Sequence, residues 1–347
     1  MTVTASGAMW PGSLACAAMP TTAVIGTGTW GTAVALVLAR AGHDRVVLYG
    51  RDPAKVAEMR RSRRQALLAD AELPAALEVT ADRGVLREAD LVLWAVPTQH
   101  SRALASTLAT DLAPGAMVLS LAKGLEQGSL ARVSEVLAAT LGRRRIGCLS
   151  GPSHAEEVVR GLPLCLVVAG DDALTRVALA RVHARTFRLY TTADLPGVEL
   201  GGALKNVVAV AAGICEGLGL GDNTKAAMIT RGLAEIRRLA RAMGAHDATL
   251  AGMAGVGDLM TTCYSRHGRN RALGLAIASG NSPQQYLANQ RMVAEGAWTC
   301  RAAVELARRH GVDLPIACEV ESVIWRAKPV TQAIDDLLSR APKEEDA

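Results

Sequence analysis

The first part of the chain alternates short apolar runs with segments of helical periodicity. Between the runs, apolar residues recur every three or four positions, as in 30–41, 98–111 and 129–141. Strands that are apolar throughout are typical of a sheet buried on both faces. The alternation therefore predicts an α/β region with a doubly wound, mostly parallel sheet covered by helices. The predicted strands are AVIG (23–26), RVVLYG (45–50), DLVLWAVP (90–97), MVLSLAKG (117–124), IGCLSGP (146–152), LCLVVAG (164–170) and FRLYT (187–191).

The period changes after Pro196, and only helical patterns follow. We expect a sheet domain over 21–195 and an all-α domain over 196–340, since 347 residues exceed the usual size of a single core. Residues 1–20 contain no Lys or Arg, so they lack the basic start of a secretory signal. We expect them to be a disordered extension, with the native start near Met19. The predicted helices cover 197–218, 224–243, 269–279, 297–310 and 316–326.

Composition excludes several classes of protein. The 38 Lys and Arg against 33 Asp and Glu give a formal charge of +5, and aromatic residues make up only 3%. This mild excess suits small anionic ligands better than nucleic acid, which requires dense basic surfaces and stacking platforms. Seven cysteines without a CxxC pair favour neither a disulfide framework nor a zinc site, and they indicate a reducing cytoplasm. No uncharged apolar run is long enough to cross a bilayer, so we expect a soluble protein.

The run GVELGGALKNVVAVAAG at 197–213 places Lys205 and Asn206 inside an otherwise apolar helix. Such a lysine either extends its amine to solvent or is buried for a purpose. Gly201 and Gly202, one turn earlier, would let a ligand or another backbone approach closely. Burial can lower the pKa of a lysine by up to about 3–5 units, which makes it a proton donor and acceptor. We therefore place Lys205 in a functional site.

The motif GTGTWG at 26–31 follows a predicted strand and opens an apolar helix. In the dinucleotide-binding fingerprint, Gly26 permits the tight turn, Gly28 lets the backbone approach the pyrophosphate, and Gly31 lets helix and strand pack closely. A protein-kinase glycine loop shares this spacing, but the chain has no VAIK, HRD or DFG motif. The context predicts a Rossmann domain that binds NAD(P).

The end of the second predicted strand should select between the two nicotinamide cofactors. An acid at this place binds a ribose 2′-hydroxyl, whereas an arginine can pair with a 2′-phosphate. Here the strand is followed by Arg51 and Asp52. We favour NADPH because of Arg51, while Asp52 leaves NADH open and Arg51 could equally be an exposed loop charge.

Further polar motifs follow the later strands. Lys123 in LAKGLE lies at the carboxyl end of a strand, where open α/β sheets bind ligands. In SGPSHAEEV, Ser153 and Glu156 have the spacing of a capping box at a helix start, which could also suit an anionic ligand.

The helical half carries two more candidate segments. GMAGVGDLMTTC contains an acid and a hydroxyl pair within a glycine-rich bend, and in HGRNR the fork of Arg269 suits a phosphate, beside the amide of Asn270. The histidines at 154, 246 and 267 show no metal-ligand spacing and are interpreted as surface or loop residues.

Together, the motifs GTGTWG, AVPTQH, KGLE, SGPSHAEE, GVELGGALKN, TRGLAE, GVGDLMTTC, GRNR and AEG resemble, in this order, NAD(P)-dependent glycerol-3-phosphate dehydrogenase of the bacterial soluble type. The resemblance spans about 21–326. It implies a Rossmann domain joined to an all-helical domain, and reversible reduction of dihydroxyacetone phosphate to sn-glycerol 3-phosphate, the precursor of phospholipid backbones. A homodimer is the expected assembly, although no motif reports on it.

The resemblance also implies residue roles. Lys205 is similar to the family's catalytic acid/base, Asp258 to the acid that accompanies it, and Lys123 to a residue that contacts both cofactor and substrate. The remaining matches are substrate contacts at Gly151, Ser153, Gly268, Arg269 and Asn270, and cofactor contacts at Gly26, Gly28, Thr29, Trp30, Gly31, Arg51, Ala155, Arg269, Val293 and Glu295.

Two positions depart from the family pattern. Gly268 stands where a serine is common, so only its backbone amide can serve, and His154 replaces a residue that is usually apolar and aromatic. Two alternative functions remain open at this point. One is another two-domain hydroxyacid or sugar-phosphate dehydrogenase, which would need no Arg269 clamp if its substrate lacked phosphate. The other is a non-catalytic nicotinamide-binding redox regulator, which would tolerate loss of Lys205.

Overall fold

The computed structural model describes residues 19–290, 293–342 and 344. The predicted extension at 1–20 lies outside the described residues except for Met19 and Pro20. Both described residues are exposed, and the first strand begins directly after them.

Within the described residues, ten strands form one large sheet and one small pair. The large sheet has the order β10-β9-β8-β7-β6-β1-β2-β5, and its neighbours are parallel except for β8 and β9. β3 and β4 form a separate antiparallel pair. The predicted mostly parallel, doubly wound sheet is confirmed, and each predicted strand run contains an observed strand. The strands are β1 (Thr21–Ile25), β2 (Arg45–Tyr49), β3 (Arg64–Gln65), β4 (Leu68–Glu72), β5 (Glu78–Thr80), β6 (Leu91–Trp94), β7 (Met117–Ser120), β8 (Ile146–Ser150), β9 (Leu164–Ala169) and β10 (Phe187–Thr192).

Helices cover both faces of the sheet, and every regular element after β10 in the described chain is a helix. Pro283 and Pro315 stand at helix starts, because their missing N–H has no partner to lose there. A 3₁₀ turn at Gly84–Arg87 and a π-helical turn at Met253–Gly257 interrupt the pattern. The helices are α1 (Thr29–Ala41), α2 (Pro53–Ser62), α3 (Thr98–Leu108), α4 (Val133–Leu141), α5 (Ala155–Val159), α6 (Asp172–Val182), α7 (Leu195–Gly217), α8 (Gly221–Ala242), α9 (Asp247–Leu250), α10 (Asp258–Tyr264), α11 (Arg269–Ala278), α12 (Pro283–Asn289), α13 (Glu295–His310), α14 (Pro315–Trp325) and α15 (Val330–Leu338).

The apolar core lies on both faces of the sheet and around α7. One face of the sheet packs against α1 and α6, and the other packs against α3 and α4. A third cluster surrounds α7 with side chains of α8, α11, α13 and α14. The last strand ends at Thr192 and α7 begins at Leu195, so the change from sheet to helices falls where the sequence predicts it.

Helix α7 is the central helix of the second half. Its N-cap is Asp194, whose Oδ1 accepts a hydrogen bond from Gly197 N at 2.9 Å. A Cβ at Gly274 of α11 would come within 2.1 Å of Val210 O, so the two helices can approach this closely only without a side chain there. By length and composition α7 could cross a membrane, but its most apolar 18-residue stretch is fully buried inside the protein. It is therefore a core helix.

Candidate active site

One cavity of about 570 Å³ lies between the carboxyl ends of the central strands and the helical half. Most of the predicted site residues line it, which confirms their proximity. Gly151 and Asp258 stand behind its wall, where they contact residues that do line it. The predicted residues on the wall are Gly26, Gly28, Thr29, Trp30, Gly31, Arg51, Lys123, Ser153, Ala155, Lys205, Gly268, Arg269, Asn270, Val293 and Glu295.

The glycine turn between β1 and α1 has the geometry of a dinucleotide cradle. Gly26 has φ +118°, and a Cβ on Gly31 would stand 2.1 Å from Gly26 O. These two glycines are required by the protein's own backbone. A Cβ at Gly28 would meet nothing within 4 Å, so only a ligand would need the space there. The indole Nε1 of Trp30 is buried without a hydrogen-bond partner among the described residues. The turn therefore fits a bound pyrophosphate.

Arg51 and Asp52, which follow β2 and Gly50, have different surroundings. Arg51 is exposed and lines the cavity together with Lys55. Asp52 instead caps α2, where its Oδ1 accepts hydrogen bonds from Ala54 N at 3.0 Å and Lys55 N at 3.2 Å. Asp52, the acid that would favour NADH, is thus engaged in capping α2. The cavity wall beside it carries the basic side chains of Arg51 and Lys55.

Lys205 is buried, with 5% of its surface exposed, as its apolar surroundings predict. Its Nζ donates a hydrogen bond to Asp258 Oδ1 and another to Thr262 Oγ1 at 2.5 Å. Burial lowers the pKa of the amine from 10.5 to about 8, against the opposing effect of the Asp258 carboxylate. Gly201 and Gly202 allow the close approach we expected, since a Cβ on either would stand within 2.7 Å of Ala254 O or Ser150 Oγ.

Asp258 is shared by two ammonium groups. Its Oδ2 accepts a hydrogen bond from Lys123 Nζ at 2.8 Å, and only 1% of the residue is exposed. Burial opposes ionisation, but Lys123 and Lys205 outweigh that effect and hold the pKa of the carboxyl below its usual value. A deprotonated Asp258 thus holds both amines beside the cavity.

Lys123 Nζ also donates hydrogen bonds to Gly151 O at 2.8 Å and to Ser153 Oγ at 3.2 Å. The capping box predicted at Ser153 and Glu156 is wrong. Helix α5 begins at Ala155, and Ser153 Oγ donates to Gly151 O instead of capping the helix. The hydroxyl is therefore held at the lysine, on the wall of the cavity.

Sequence reasoning missed Thr262 as an individual site residue. It lies one turn after Asp258 in α10, and its Oγ1 donates to Asp258 O at 2.6 Å while it accepts from Lys205. The spacing of four residues from the acid in GDLMTTC was the available signal.

The amides of Asn206 and Asn270 link four segments. Asn206 Nδ2 donates to Lys123 O at 2.9 Å, and Asn270 Nδ2 donates to Asn206 Oδ1 at 2.8 Å. Asn270 Oδ1 in turn accepts from Gly296 N at 2.9 Å. Asn270 therefore already has two protein partners and one remaining N–H. Its first structural effect is to hold α7, α11 and α13 together around the cavity.

Arg269, at the start of α11, carries a cation with no hydrogen-bond or ion-pair partner among the described residues. Desolvation by the surrounding protein atoms lowers the pKa of its guanidinium, although Glu156 and Glu295 oppose the shift. The residue is nevertheless exposed, because its side chain lies on the wall of the open cavity. An unpaired cation that faces an aqueous cavity is a natural anion site.

Glu295 joins the two halves of the protein. Its Oε1 accepts a hydrogen bond from Thr98 N at 3.2 Å, at the start of α3, while its Oε2 is buried without a partner among the described residues. Burial raises the pKa of the carboxyl to about 7, against the effect of Thr98 and Arg269. Val293, two residues before the start of α13, lines the same cavity.

The interpretation of His154 and His267 as ordinary surface or loop residues is incomplete. Both lie in loops, but both are half-buried and line the cavity. His246 is exposed in a loop, as predicted. The sequence could not show the proximity of the first two rings, because they are more than 100 residues apart.

A glycine turn on a parallel sheet that faces a buried lysine across one cavity is the architecture of a nicotinamide-dependent dehydrogenase. Residues 21–175 match the family described as NAD-dependent glycerol-3-phosphate dehydrogenase N-terminus, and residues 194–335 match its C-terminus. The chain belongs to this family of enzymes.

Relatives and a solved structure agree with this membership. The chain is 46% identical over 334 residues to the glycerol-3-phosphate dehydrogenase [NAD(P)+] of Trichlorobacter lovleyi, covering 93% of this chain and 99% of that one. It is 44% identical over 326 residues to the enzyme of the same name from Desulfitobacterium hafniense, covering 93% and 92%. The crystal structure of glycerol-3-phosphate dehydrogenase from Coxiella burnetii is similar with a TM-score of 0.89 at 34% identity, covering 93% and 99%.

Proposed function

We propose that this enzyme catalyses the reversible reduction of dihydroxyacetone phosphate to sn-glycerol 3-phosphate with NAD(P)H. The observation that carries the proposal is the buried Lys205 amine beside an unpaired Arg269, both on the wall of a cavity that begins at the glycine turn. A carbonyl reduction needs a proton donor, and a phosphorylated substrate needs a cation. The named activity of the relatives supports the same substrate.

When bound, the nicotinamide supplies the hydride that reaches the carbonyl carbon of the substrate. Lys205 gives a proton to the carbonyl oxygen and takes it back in the reverse direction. Its pKa of about 8 suits both tasks near neutral pH. Asp258 holds the amine by a hydrogen bond and keeps it charged more readily than burial alone would allow. Thr262 and Lys123 fix the positions of the amine and the carboxylate.

The substrate's phosphate binds the guanidinium of Arg269 and the free N–H of Asn270. Gly268 borders the same site without a side chain, since a Cβ there would already stand 3.0 Å from Thr262 O, and its N–H donates to Ser265 O at 3.2 Å. Lys123 and the Gly151 and Ser153 groups that it contacts form the opposite side of the substrate site. A substrate without phosphate would leave Arg269 without a partner, which disfavours a phosphate-free hydroxyacid.

NADPH is the preferred cofactor in this proposal. Arg51 and Lys55 present two cations at the end of β2, whereas Asp52 is engaged in capping α2. A 2′-phosphate is stabilised by that charge pattern, and a 2′-hydroxyl has no free carboxylate there to accept its hydrogen bond. We also assign cofactor contacts to the glycine turn with Thr29 and Trp30, and to Ala155, Arg269, Val293 and Glu295.

The division into a dinucleotide-binding domain over 21–195 and a substrate domain over 196–340 stays part of the proposal. So do a cytoplasmic location, a homodimer, and the supply of glycerol phosphate to phospholipid synthesis. The site between the two halves and the polar Glu295 to Thr98 contact support the division.

The test follows nicotinamide absorbance at 340 nm with purified protein. Dihydroxyacetone phosphate should be reduced, with a higher kcat/KM for NADPH than for NADH. Unphosphorylated dihydroxyacetone is the matched control and should react far more slowly, because it cannot engage Arg269. Equal rates with both ketones would contradict the phosphate site. Cofactor binding without any oxidation would favour the redox regulator instead.

A further inference from the structure

Two imidazole rings lie close together on the cavity wall, tilted by 51° to one another. The ring centroids of His154 and His267 are 6.1 Å apart, and both residues line the cavity with Lys205 and Arg269. His154 precedes α5, and His267 lies in the turn between α10 and α11. His154 therefore belongs to the sheet half and His267 to the helical half. His267 precedes Arg269 by two residues.

Neither ring is fully engaged with the protein. His154 Nε2 lies 3.5 Å from Thr261 O, and His267 Nε2 accepts from Arg266 Nε at 3.5 Å. The Nδ1 atom of each ring has no hydrogen-bond partner in the described part of the chain. Neither ring contacts a carboxylate that would hold it protonated permanently. Each thus has a nitrogen available to a ligand.

The surrounding charges make the protonation of His154 sensitive to a ligand. Burial and the Lys205 ammonium lower its pKa, while Thr261 O, Glu156 and Glu157 oppose them. Asp258 lies behind the wall and already pairs with two lysines, and Arg266 contacts His267 from outside the lining. The further charged groups that line the cavity are Arg51, Lys55, Lys123, Arg269 and Glu295. An arriving phosphate dianion would reverse this balance and favour the imidazolium form.

We propose that His154 and His267 form a contact for the substrate's phosphate beside Arg269, in which His154 is the protonatable member. The inference rests on the proposed function. In the neutral form the free nitrogen of His154 offers at most one hydrogen bond, whereas in the protonated form it adds charge to the same contact. His267 contributes a hydrogen-bonding group. Substrate affinity in this chain is then tuned by pH through His154, in addition to the permanent guanidinium charge.

The test compares wild type with His154→Phe, His267→Gln and the double variant. Phenylalanine keeps an aromatic ring of similar size, and glutamine keeps a polar side chain without a titrating group. KM for dihydroxyacetone phosphate, KM for NADPH and kcat are measured between pH 6 and pH 8.5. His43→Gln is the control, because His43 is an exposed imidazole outside the cavity lining. The substrate's own phosphate titrates in every sample, so the ratio of variant to wild type isolates the imidazoles.

We expect the ratio of the substrate KM of the double variant to that of wild type to be about fivefold larger at pH 6 than at pH 8.5. This is the size of effect expected from one partly solvated charge contact. KM for NADPH and the His43→Gln profile should not change. If the double variant no longer binds NADPH, His154→Phe alone carries the test, with a pH-dependent ratio of about twofold expected.

A ratio that is independent of pH, in an enzyme that reduces dihydroxyacetone phosphate normally, would overturn the imidazole contact alone. A merely structural role of the rings would give this result, because loss of packing does not follow imidazole titration. A wild-type protein that reduces no dihydroxyacetone phosphate at any pH would overturn the proposed function, and the contact with it.

Discussion

Replacing Lys205 by methionine should change how stability depends on pH. Methionine is unbranched and of similar length, so it fills the space of the aliphatic stem while it removes the amine. Asp258 keeps its second hydrogen bond, from Lys123 Nζ at 2.8 Å. The variant therefore removes one buried titrating group and leaves the other partner of the carboxylate in place.

The magnitude follows from the pKa of the amine. A shift from 10.5 to about 8 costs the folded wild type about 3 kcal/mol at pH 7, at about 1.4 kcal/mol per unit. Between pH 8 and pH 10.5 the unfolded chain binds more protons than the folded one, so this cost declines as pH rises. From pH 7.5 to pH 9.5, wild type should gain about 2 kcal/mol of unfolding free energy relative to Lys205→Met.

Urea unfolding of wild type and Lys205→Met at pH 7.5 and pH 9.5 measures this difference. Lys55→Met is the matched control, because Lys55 is exposed and its removal should leave the pH dependence unchanged. Every other titrating group is common to the proteins compared. The reasoning is refuted if the difference between wild type and Lys205→Met is the same at both pH values, or if it moves against wild type at the higher pH.

Three further substitutions test individual site residues. Asp258→Asn removes the carboxylate that raises the pKa of Lys205, so reduction at pH 7.5 should slow at least about 100-fold and the rate should improve towards lower pH; a profile like that of wild type would contradict this. Arg269→Ala should raise KM for dihydroxyacetone phosphate about 10- to 100-fold by loss of a charged contact, and a change in kcat alone would argue against the clamp. Arg51→Gln should lower the NADPH to NADH ratio of kcat/KM at least about fivefold, and an unchanged ratio would remove Arg51 from cofactor selection.

The elements that could be predicted from the sequence are those with a strong local pattern. The central strands are apolar on both faces, and the burial of Lys205 follows from the apolar residues on every side of it in α7. By contrast, β5 has only three residues, Glu78–Thr80, and its EVT pattern is too short to indicate a strand. The antiparallel pairing of β9 with β8 also escaped prediction, because hydrophobic pattern carries no information about strand direction.

Contacts between distant segments account for the rest of the site. The partners of Lys205 lie 53 and 57 residues further along the chain, and Asn270 lies 64 residues from Asn206. No local period reports such distances. The same applies to His154 and His267, whose proximity follows only from the packing of the helical half against the sheet. The use of Asp52 as a helix cap was open to prediction, since it directly precedes Pro53 at a helix start.

Single-turnover reduction by Lys205→Met tests most directly whether the buried amine transfers the proton. The variant should bind NADPH as wild type does, because Lys205 Nζ bonds to Asp258 and Thr262 of the helical half and to no residue of the glycine turn. With saturating dihydroxyacetone phosphate it should oxidise the bound NADPH at least about 1000-fold more slowly than wild type. Oxidation within about tenfold of the wild-type rate would contradict the role of Lys205 as proton donor.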